Sequence, residues 1–229
     1  MVEFLVALAA FLLSHSIPAR PRLRRRLVGL LGERGYVGAY SLLSLALLAW
    51  LIGAALRAPY IPLWDKRVGQ YWAPIVAMPP AFVLLASALF CPNPLSIGFN
   101  GGRFDPERPG IVAVTRHPLL WAFALWAFAH VVPNGDVVGV IMFGGFGLFA
   151  FLAMPLIDRR KRRAMGGEWH ILAARTSILP FAAVIKGRTP LRWRADQLLG
   201  TLVVGLLFYV VMLWAHPYLF GPDPKLAFG

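Results

Sequence analysis

Long apolar runs, separated by short clusters of basic residues, constrain this chain more than any other feature of its sequence. A helix that crosses the hydrocarbon core of a bilayer needs about 20 mostly apolar residues. With 59% hydrophobic residues and a mean hydropathy of +0.66, the chain is far more apolar than a soluble domain of 229 residues. We therefore predict an all-α, polytopic membrane protein in which residues 1–229 form a single integral-membrane domain.

The apolar runs predict about six transmembrane helices. These cover roughly residues 2–17, 36–56, 73–91, 111–132, 137–157 and 198–216. Pro79 and Pro80 predict a kink in the third helix, and Asp136 is placed to cap the fifth. Residues 23–31 predict a short amphipathic helix at the membrane interface. Residues 91–110 are rich in glycine and proline, which predicts an ordered loop.

The distribution of lysine and arginine predicts the orientation. The formal net charge is +13, and the 23 basic residues fall in short clusters that form no long basic face. The loops after the first, third and fifth spans hold all of them except Arg57, Lys66, Arg67 and Lys225. By the positive-inside rule, both termini of a bacterial inner (cytoplasmic) membrane protein would then face the periplasm. The partner that this charge indicates is the lipid bilayer, with its anionic headgroups, rather than nucleic acid.

The chain has one cysteine, Cys91, which excludes an intrachain disulfide and any metal site built from several cysteines. Histidine is then the main metal-binding residue type. Cys91 precedes Pro92 at the end of an apolar run, where a packing role is expected.

The segment 114–136 carries a histidine near each end. Ionisable groups inside a bilayer are costly and are therefore candidate functional residues. His130, about one turn before the outer end, is the strongest candidate. His117, in an Arg-His-Pro sequence, is either functional or a helix start that contacts headgroups, with Pro118 suited to a first helical turn. On one straight helix the two histidines are about 20 Å apart, so they cannot bind the same metal ion.

The other three histidines are His15, His170 and His216. His15 follows the first span and is either a ligand or an interfacial cap. His170 and His216 are expected at solvent or at the interface. By depth in the bilayer, His15 falls with His117 near the inner face, and His130 falls with His216 near the outer face.

The polar segment after the fifth span begins with the basic run 158–163, which indicates the cytoplasmic end of that span. Further on, Glu168 and Arg175 are seven residues apart and would share one face of a helix. The stretch from Thr176 to Pro180 could then return the chain to the membrane.

Three ordered motifs, LLSHSIPAR, GIVAVTRHPLLWAFALWAFAHVVPNGD and DRRKRRAMGGEWHILAARTSILPF, resemble the NnrU family of membrane proteins. That family includes the plastid zeta-carotene isomerase. The resemblance implies a role in supporting nitrite and nitric oxide respiration (denitrification), since NnrU-type proteins are associated with the corresponding reductase gene clusters. The isomerase relative binds haem b through two histidines and isomerises a double bond of a polyene, which implies an apolar, lipid-like substrate.

Carried over to this sequence, the haem ligands of the isomerase fall on His15 and His130, which are the expected cofactor-binding and iron-ligating residues. Ala127 stands where the isomerase has a cysteine, which leaves bis-histidine ligation. Two axial nitrogens must lie about 4 Å apart across an iron. Because the predicted depths separate the two histidines, either the first span is tilted or re-entrant, or the ligand assignment does not transfer.

The Arg-His-Pro sequence is also similar to membrane methyltransferases that use S-adenosylmethionine. This resemblance implies Arg116, His117 and Glu168 as candidate catalytic residues. The family's tyrosine after Arg-His-Pro is replaced by Leu119-Leu120-Trp121, and its second glutamate by Trp169. A polyene isomerase, a methyltransferase and a non-catalytic assembly or transport partner are therefore the alternatives to the respiratory role.

Overall fold

A computed structural model of the chain describes residues 1–16 and 20–228. Within these two ranges the protein is helical, and the only β-type pairing is an isolated bridge between Pro62 and Asp136. The long helices are α1 (Val2–Ser14), α2 (Pro21–Arg57), α3 (Trp72–Phe90), α5 (Pro118–Val131), α6 (Val137–Met165) and α9 (Ala195–Phe220). The short ones are α4 (Ile111–Val114), α7 (Gly167–Ala174) and α8 (Ala182–Ile185), with 3₁₀ turns at Val68–Tyr71 and Pro224–Phe228. The all-α prediction is confirmed.

Within the part of the chain that the structure describes, four helices are long and apolar enough to cross a membrane. They are Arg22–Arg57, Val68–Phe90, Val137–Met165 and Ala195–Phe220. The predicted first and fourth spans correspond to α1 and α5, which are apolar but have only 13 and 14 residues. Six spans and periplasmic termini therefore stay predictions. Residues 17–19, where the first predicted span ends, lie outside the described residues.

The described chain divides into two compact units. The first consists of Met1–Trp64 with Asp136–Met142. In it α1 packs against α2, and Glu3 of α1 accepts hydrogen bonds from Trp50 and Arg57. The predicted cap is present, because the Asp136 carboxylate accepts the backbone N–H of Gly139 at 3.0 Å.

Helix α2 of the first unit bends at Gly32, whose backbone angles (φ 70°, ψ 167°) are not helical. Glycine tolerates this conformation because it has no Cβ. The bend separates an arginine-rich segment, Pro21 to Leu31, from the apolar remainder of α2. The predicted amphipathic helix at 23–31 thus exists as the first part of a longer, bent helix.

The second unit consists of Asp65–Gly135 with Phe143–Gly229. Helix α3 lies at its centre and packs against both α5 and α9, continuing as one helix through Pro79 and Pro80. A Cβ built on Gly205 of α9 would lie 2.8 Å from the Cα atom of Val83, so the two backbones are in close contact. Small residues allow this approach between helices in membranes.

The segment 91–110 is irregular, as predicted, and contributes buried residues to the second unit. Cys91 is 2% exposed, and its Sγ lies 3.8 Å from Thr201 Oγ1 of α9. The packing role expected for Cys91 agrees with this position. The loop continues to Leu95 and Ser96, both buried, and brings them to the start of α5.

Candidate functional site

His117 is the residue immediately before α5 and is fully buried. Its Nδ1 atom lies 2.7 Å from Ser96 Oγ, and its Nε2 atom lies 3.1 Å from Asp158 Oδ1. Pro118 occupies the first turn of α5, as predicted. Complete burial rules out a headgroup contact for His117. We call Ser96, Arg116, His117 and Asp158 the buried polar cluster.

The hydrogen bonds fix where the protons of the buried polar cluster lie. An ionised carboxylate only accepts hydrogen bonds, so His117 Nε2 donates to Asp158. In the neutral ring, Nδ1 then accepts the hydroxyl proton of Ser96. Serine, histidine and aspartate are connected in the same order as in a hydrolytic triad, but the two ring nitrogens have exchanged partners, because in a triad Nε2 faces the serine and Nδ1 the aspartate. Ser96 is also only 4% exposed. The cluster holds three segments together, whereas Ser96 cannot reach a substrate outside the protein.

Arg116 is 8% exposed and lies beside the same carboxylate. Its Nε atom is 3.6 Å from Asp158 Oδ2, which is ion-pair distance but longer than a hydrogen bond. Its backbone N–H donates to Ser177 O, and its carbonyl accepts from Asn93 Nδ2. Asp158 acts on the Arg116 guanidinium as an opposite charge, and Arg188 acts on it as a like charge.

The segment after α7 contacts the start of α5, and the prediction that the stretch ending at Pro180 returns the chain to the membrane stays a prediction. Thr115 Oγ1 and Trp121 Nε1 each donate to the carbonyl of Ile178 at 2.8 Å. The backbone N–H of Phe181 donates to Val114 O at 2.7 Å. These bonds hold the Arg-His-Pro turn against the segment that follows α7.

The predicted catalytic candidates are only partly brought together. Arg116 and His117 are adjacent and buried, but Glu168 is exposed on the first turn of α7. Among the described residues, Glu168 forms no hydrogen bond or ion pair with either of them. Arg175, expected on the same helix face, instead forms an ion pair with Glu107 at 3.0 Å. The acidic partner of His117 is Asp158.

Sequence reasoning missed Ser96 and Asp158. Asp158 begins the basic run 158–163, whose pattern indicates only the end of a membrane span. It is also the first charged residue after the turn between α5 and α6. A charged group at that position needs a partner at the same end of the helix pair. Ser96 lies in an irregular loop, and no periodic pattern could have identified it.

His130 lies near the other end of α5 and is half-buried. Its Nδ1 atom donates to the carbonyl of Trp126 at 2.7 Å. Its ring is 5.6 Å from the ring of Trp126 and 5.5 Å from that of Phe143, measured between centroids. His130 therefore lies against aromatic side chains, with its Nδ1 proton fixed by a backbone carbonyl.

His216 of α9 is a neighbour of His130. The two ring centroids are 6.5 Å apart, with 21° between the ring planes. His216 Nδ1 donates to the carbonyl of Pro222 at 2.7 Å. The predicted association of His130 with His216 at one end of the helices agrees with this contact. The prediction that His117 and His130 serve separate sites also agrees, because they have different partners at opposite ends of α5.

His15 belongs to the first unit, whereas His130 belongs to the second. His15 follows α1, and its Nδ1 atom donates to Phe11 O at 2.8 Å. Its ring packs against Phe11 and meets the edge of Tyr40 at 6.0 Å. Across residues 1–16 and 20–228, no three His, Cys, Asp or Glu side chains gather into a metal-binding group. A haem iron, however, takes its axial ligands from only one or two residues.

Comparison with known proteins gives a match to the family model described as NnrU protein, over residues 3–224. The chain is also 35% identical over 82 residues to a chloroplastic 15-cis-zeta-carotene isomerase of Zea mays, and 32% identical over 79 residues to that of Arabidopsis thaliana. These matches cover 36% and 34% of the chain but only 22% of each isomerase. No solved structure matches. Because the family model extends over nearly the whole sequence, the chain belongs to the NnrU family.

Proposed function

We propose that this NnrU-family protein is a membrane-embedded isomerase that acts on a double bond of an apolar polyene lipid. The observation that carries the proposal is His130, which lies among aromatic rings at one end of α5, where a flat conjugated ligand could stack. The local similarity to two plant isomerases supports the same reaction class. The apolar helices α3, α6 and α9 suit a substrate that is dissolved in the bilayer.

The residues around His130 fit an axial ligand of haem b. A histidine that binds a metal usually donates its other ring N–H to a carbonyl or carboxylate, which fixes the tautomer. His130 Nδ1 donates to Trp126 O, so the lone pair lies on Nε2. Haem b, when bound, supplies a redox-active iron. The Trp126 carbonyl orients the His130 ring, and the rings of Trp126 and Phe143 pack beside it.

Two histidines are candidates for a second residue that would hold the haem together with His130. The family resemblance implies His15, and that assignment stays a proposal. His216 is supported by its position beside His130, because their ring centroids are 6.5 Å apart. His216 also donates from Nδ1 to a carbonyl, which would leave Nε2 to bind a metal.

Isomerisation is tested with the purified protein in liposomes that contain 15-cis-zeta-carotene. After haem-replete expression, chromatography of the extracted pigments should show conversion to a different geometric isomer. Liposomes with His130→Ala protein are the control, and they should give no conversion. Equal conversion by both proteins, or none by either, would exclude the proposed reaction with this substrate.

A second candidate function, support of nitrite and nitric oxide respiration, rests on the family match over residues 3–224. A haem bound at His130 could serve electron transfer in that setting. The test is complementation of a denitrifying bacterium whose own NnrU-type gene has been deleted, with anaerobic nitrite consumption as the readout. No difference between the complemented and the deleted strain would reject this function.

We also propose that the protein lies in a bacterial inner membrane with six spans and both termini in the periplasm. The apolar helices support a membrane location in general, and the distribution of lysine and arginine supports the orientation. Alkaline phosphatase fused after Gly229 should be active, because that enzyme folds only outside the cytoplasm. An inactive fusion, with full-length protein present in the membrane, would reverse the orientation.

A further inference from the structure

Within the described residues, two neighbouring buried donors lack a hydrogen-bond acceptor, namely Arg116 Nε of the buried polar cluster and Trp169 Nε1 beside it. Arg116 Nε lies 3.6 Å from Asp158 Oδ2, beyond hydrogen-bond distance. The Cζ atom of Arg116 lies 5.6 Å from the ring centroid of Trp169, so the two donors belong to one neighbourhood. An unsatisfied buried donor costs about 1–3 kcal/mol. Two such donors side by side indicate that an acceptor binds there.

The same neighbourhood carries excess positive charge. Arg162 also lies over the Trp169 ring, 6.0 Å from its centroid. Arg188 acts on Arg116 as a like charge. Asp158 is the only carboxylate that pairs with Arg116 in the described chain, and His117 shares it. The acceptor should therefore be an anion.

Two of the three arginines in this neighbourhood are exposed, so an anion could reach them from outside the protein. Arg162, at the end of α6, and Arg188, after α8, are exposed, whereas Arg116 is buried. Arg188 is held in place because its guanidinium donates to Ala174 O at 3.1 Å. Positive charge therefore continues from the protein surface to the two unsatisfied donors.

We propose that Arg116, Arg162, Trp169 and Arg188 form a binding site for a phosphate-type oxyanion, either free phosphate or the phosphate of a lipid headgroup. Guanidinium groups bind phosphate oxygens through paired, charge-assisted hydrogen bonds. The indole N–H of Trp169 adds a neutral donor. Asp158 accepts from His117 and attracts Arg116 from the other side, which keeps the guanidinium in place. This site is at the opposite end of α5 from His130, so it does not depend on the proposed isomerase function.

The test is calorimetric titration of the purified protein in a neutral detergent at constant ionic strength. One arm adds inorganic phosphate, and the other adds dihexanoyl phosphatidylglycerol below its micelle concentration. Saturable binding of phosphate identifies a free anion as ligand, whereas saturable binding of the lipid alone identifies a headgroup. If neither probe binds saturably, the proposal is wrong.

Matched variants separate this site from the general basic charge of the chain. The double variant Arg162→Gln and Arg188→Gln should weaken binding tenfold or more. The control double variant Arg159→Gln and Arg163→Gln removes the same charge from exposed positions on α6 and should change binding less than twofold. Equal losses in the two double variants would show non-specific attraction and overturn the proposal.

The variant Trp169→Phe distinguishes a binding role of the indole N–H from a structural role. The substitution keeps an aromatic ring beside the arginines and removes only the indole N–H. Binding should weaken severalfold, while the melting temperature without ligand should not fall, because an unsatisfied donor has been removed. A lower melting temperature with unchanged affinity would mean that the indole N–H has a structural partner and no role in binding.

Discussion

His117 donates from Nε2 to the carboxylate of Asp158 across 3.1 Å, although 41 residues separate them in the sequence. The bond joins the start of α5 to the polar end of α6. Since His117 is fully buried, its ring has no water to replace a lost partner. The bond therefore fixes the Arg-His-Pro turn, and Arg116 with it, relative to the rest of the second unit.

Replacing Asp158 with asparagine should destabilise the protein. The substitution keeps the size of the side chain but removes the charge that His117 and Arg116 share, and the expected loss is about 2 kcal/mol. Thermal unfolding in detergent measures it. Glu168→Gln is the matched control and should be neutral, because Glu168 is exposed. If Glu168→Gln were the more damaging change, the acidic partner would be the one predicted from the sequence.

Haem binding is predicted to depend on His130. His130→Ala should abolish the haem absorption of protein purified after haem-replete expression, as measured by the pyridine haemochrome method. The same measurement on His15→Ala and His216→Ala, with the absorption spectrum of the intact protein, identifies the second ligand. Loss of the low-spin spectrum in only one of these two variants assigns that histidine. A wild-type protein without haem would reject the cofactor altogether.

Gly205→Ala should push α9 away from α3. The new Cβ would meet backbone atoms of Val83 at 2.8 and 2.9 Å, and backbone cannot move aside as a side chain can. The expected destabilisation is about 1–3 kcal/mol, typical of overpacking. Gly144→Ala in α6 is the control, since nothing lies within 4 Å of its new Cβ. That variant should be slightly more stable, because alanine favours a helix over glycine. Equal effects of the two substitutions would contradict the close helix contact.

Cys91 should react slowly with maleimides in the folded protein. The residue is 2% exposed, and its Sγ lies 3.8 Å from Thr201 Oγ1 in the interior. A thiol reacts only when a reagent can reach it, so the folded protein should protect Cys91 and the unfolded chain should not. Labelling followed by mass spectrometry between pH 7 and 9 should show rates far below those in denaturant. Rapid labelling at pH 7 would show that Cys91 is accessible.

The sequence was sufficient for the helical class and for four of the long helices, because apolar runs of about 20 residues have few other solutions. The same pattern placed α1 and α5 but could not settle whether helices of 13 and 14 residues cross a membrane. The pattern of apolar residues did not predict the bend at Gly32, because hydrophobicity carries no information about backbone angles.

At the candidate sites, prediction succeeded where it rested on helix geometry. The spacing of 13 positions from His117 to His130 was enough to place them at opposite ends of one helix, and their predicted depth in the bilayer was enough to associate His130 with His216. Prediction failed for the partners of His117, because Ser96 and Asp158 reach it through a loop and a helix turn. Glu168 matches the glutamate of the methyltransferase pattern in residue type and order, but in the described chain it is exposed and forms no hydrogen bond or ion pair with His117.

The bend at Gly32 also bears on the thickness of the membrane that this protein can occupy. A straight helix of 37 residues would be about 55 Å long, almost twice the hydrocarbon thickness of a bilayer. After Gly32 the remaining part of α2 is about 38 Å long, which a modest tilt accommodates. Gly32 thus divides α2 into an apolar part whose length suits a bilayer and an arginine-rich part of the composition that favours anionic headgroups.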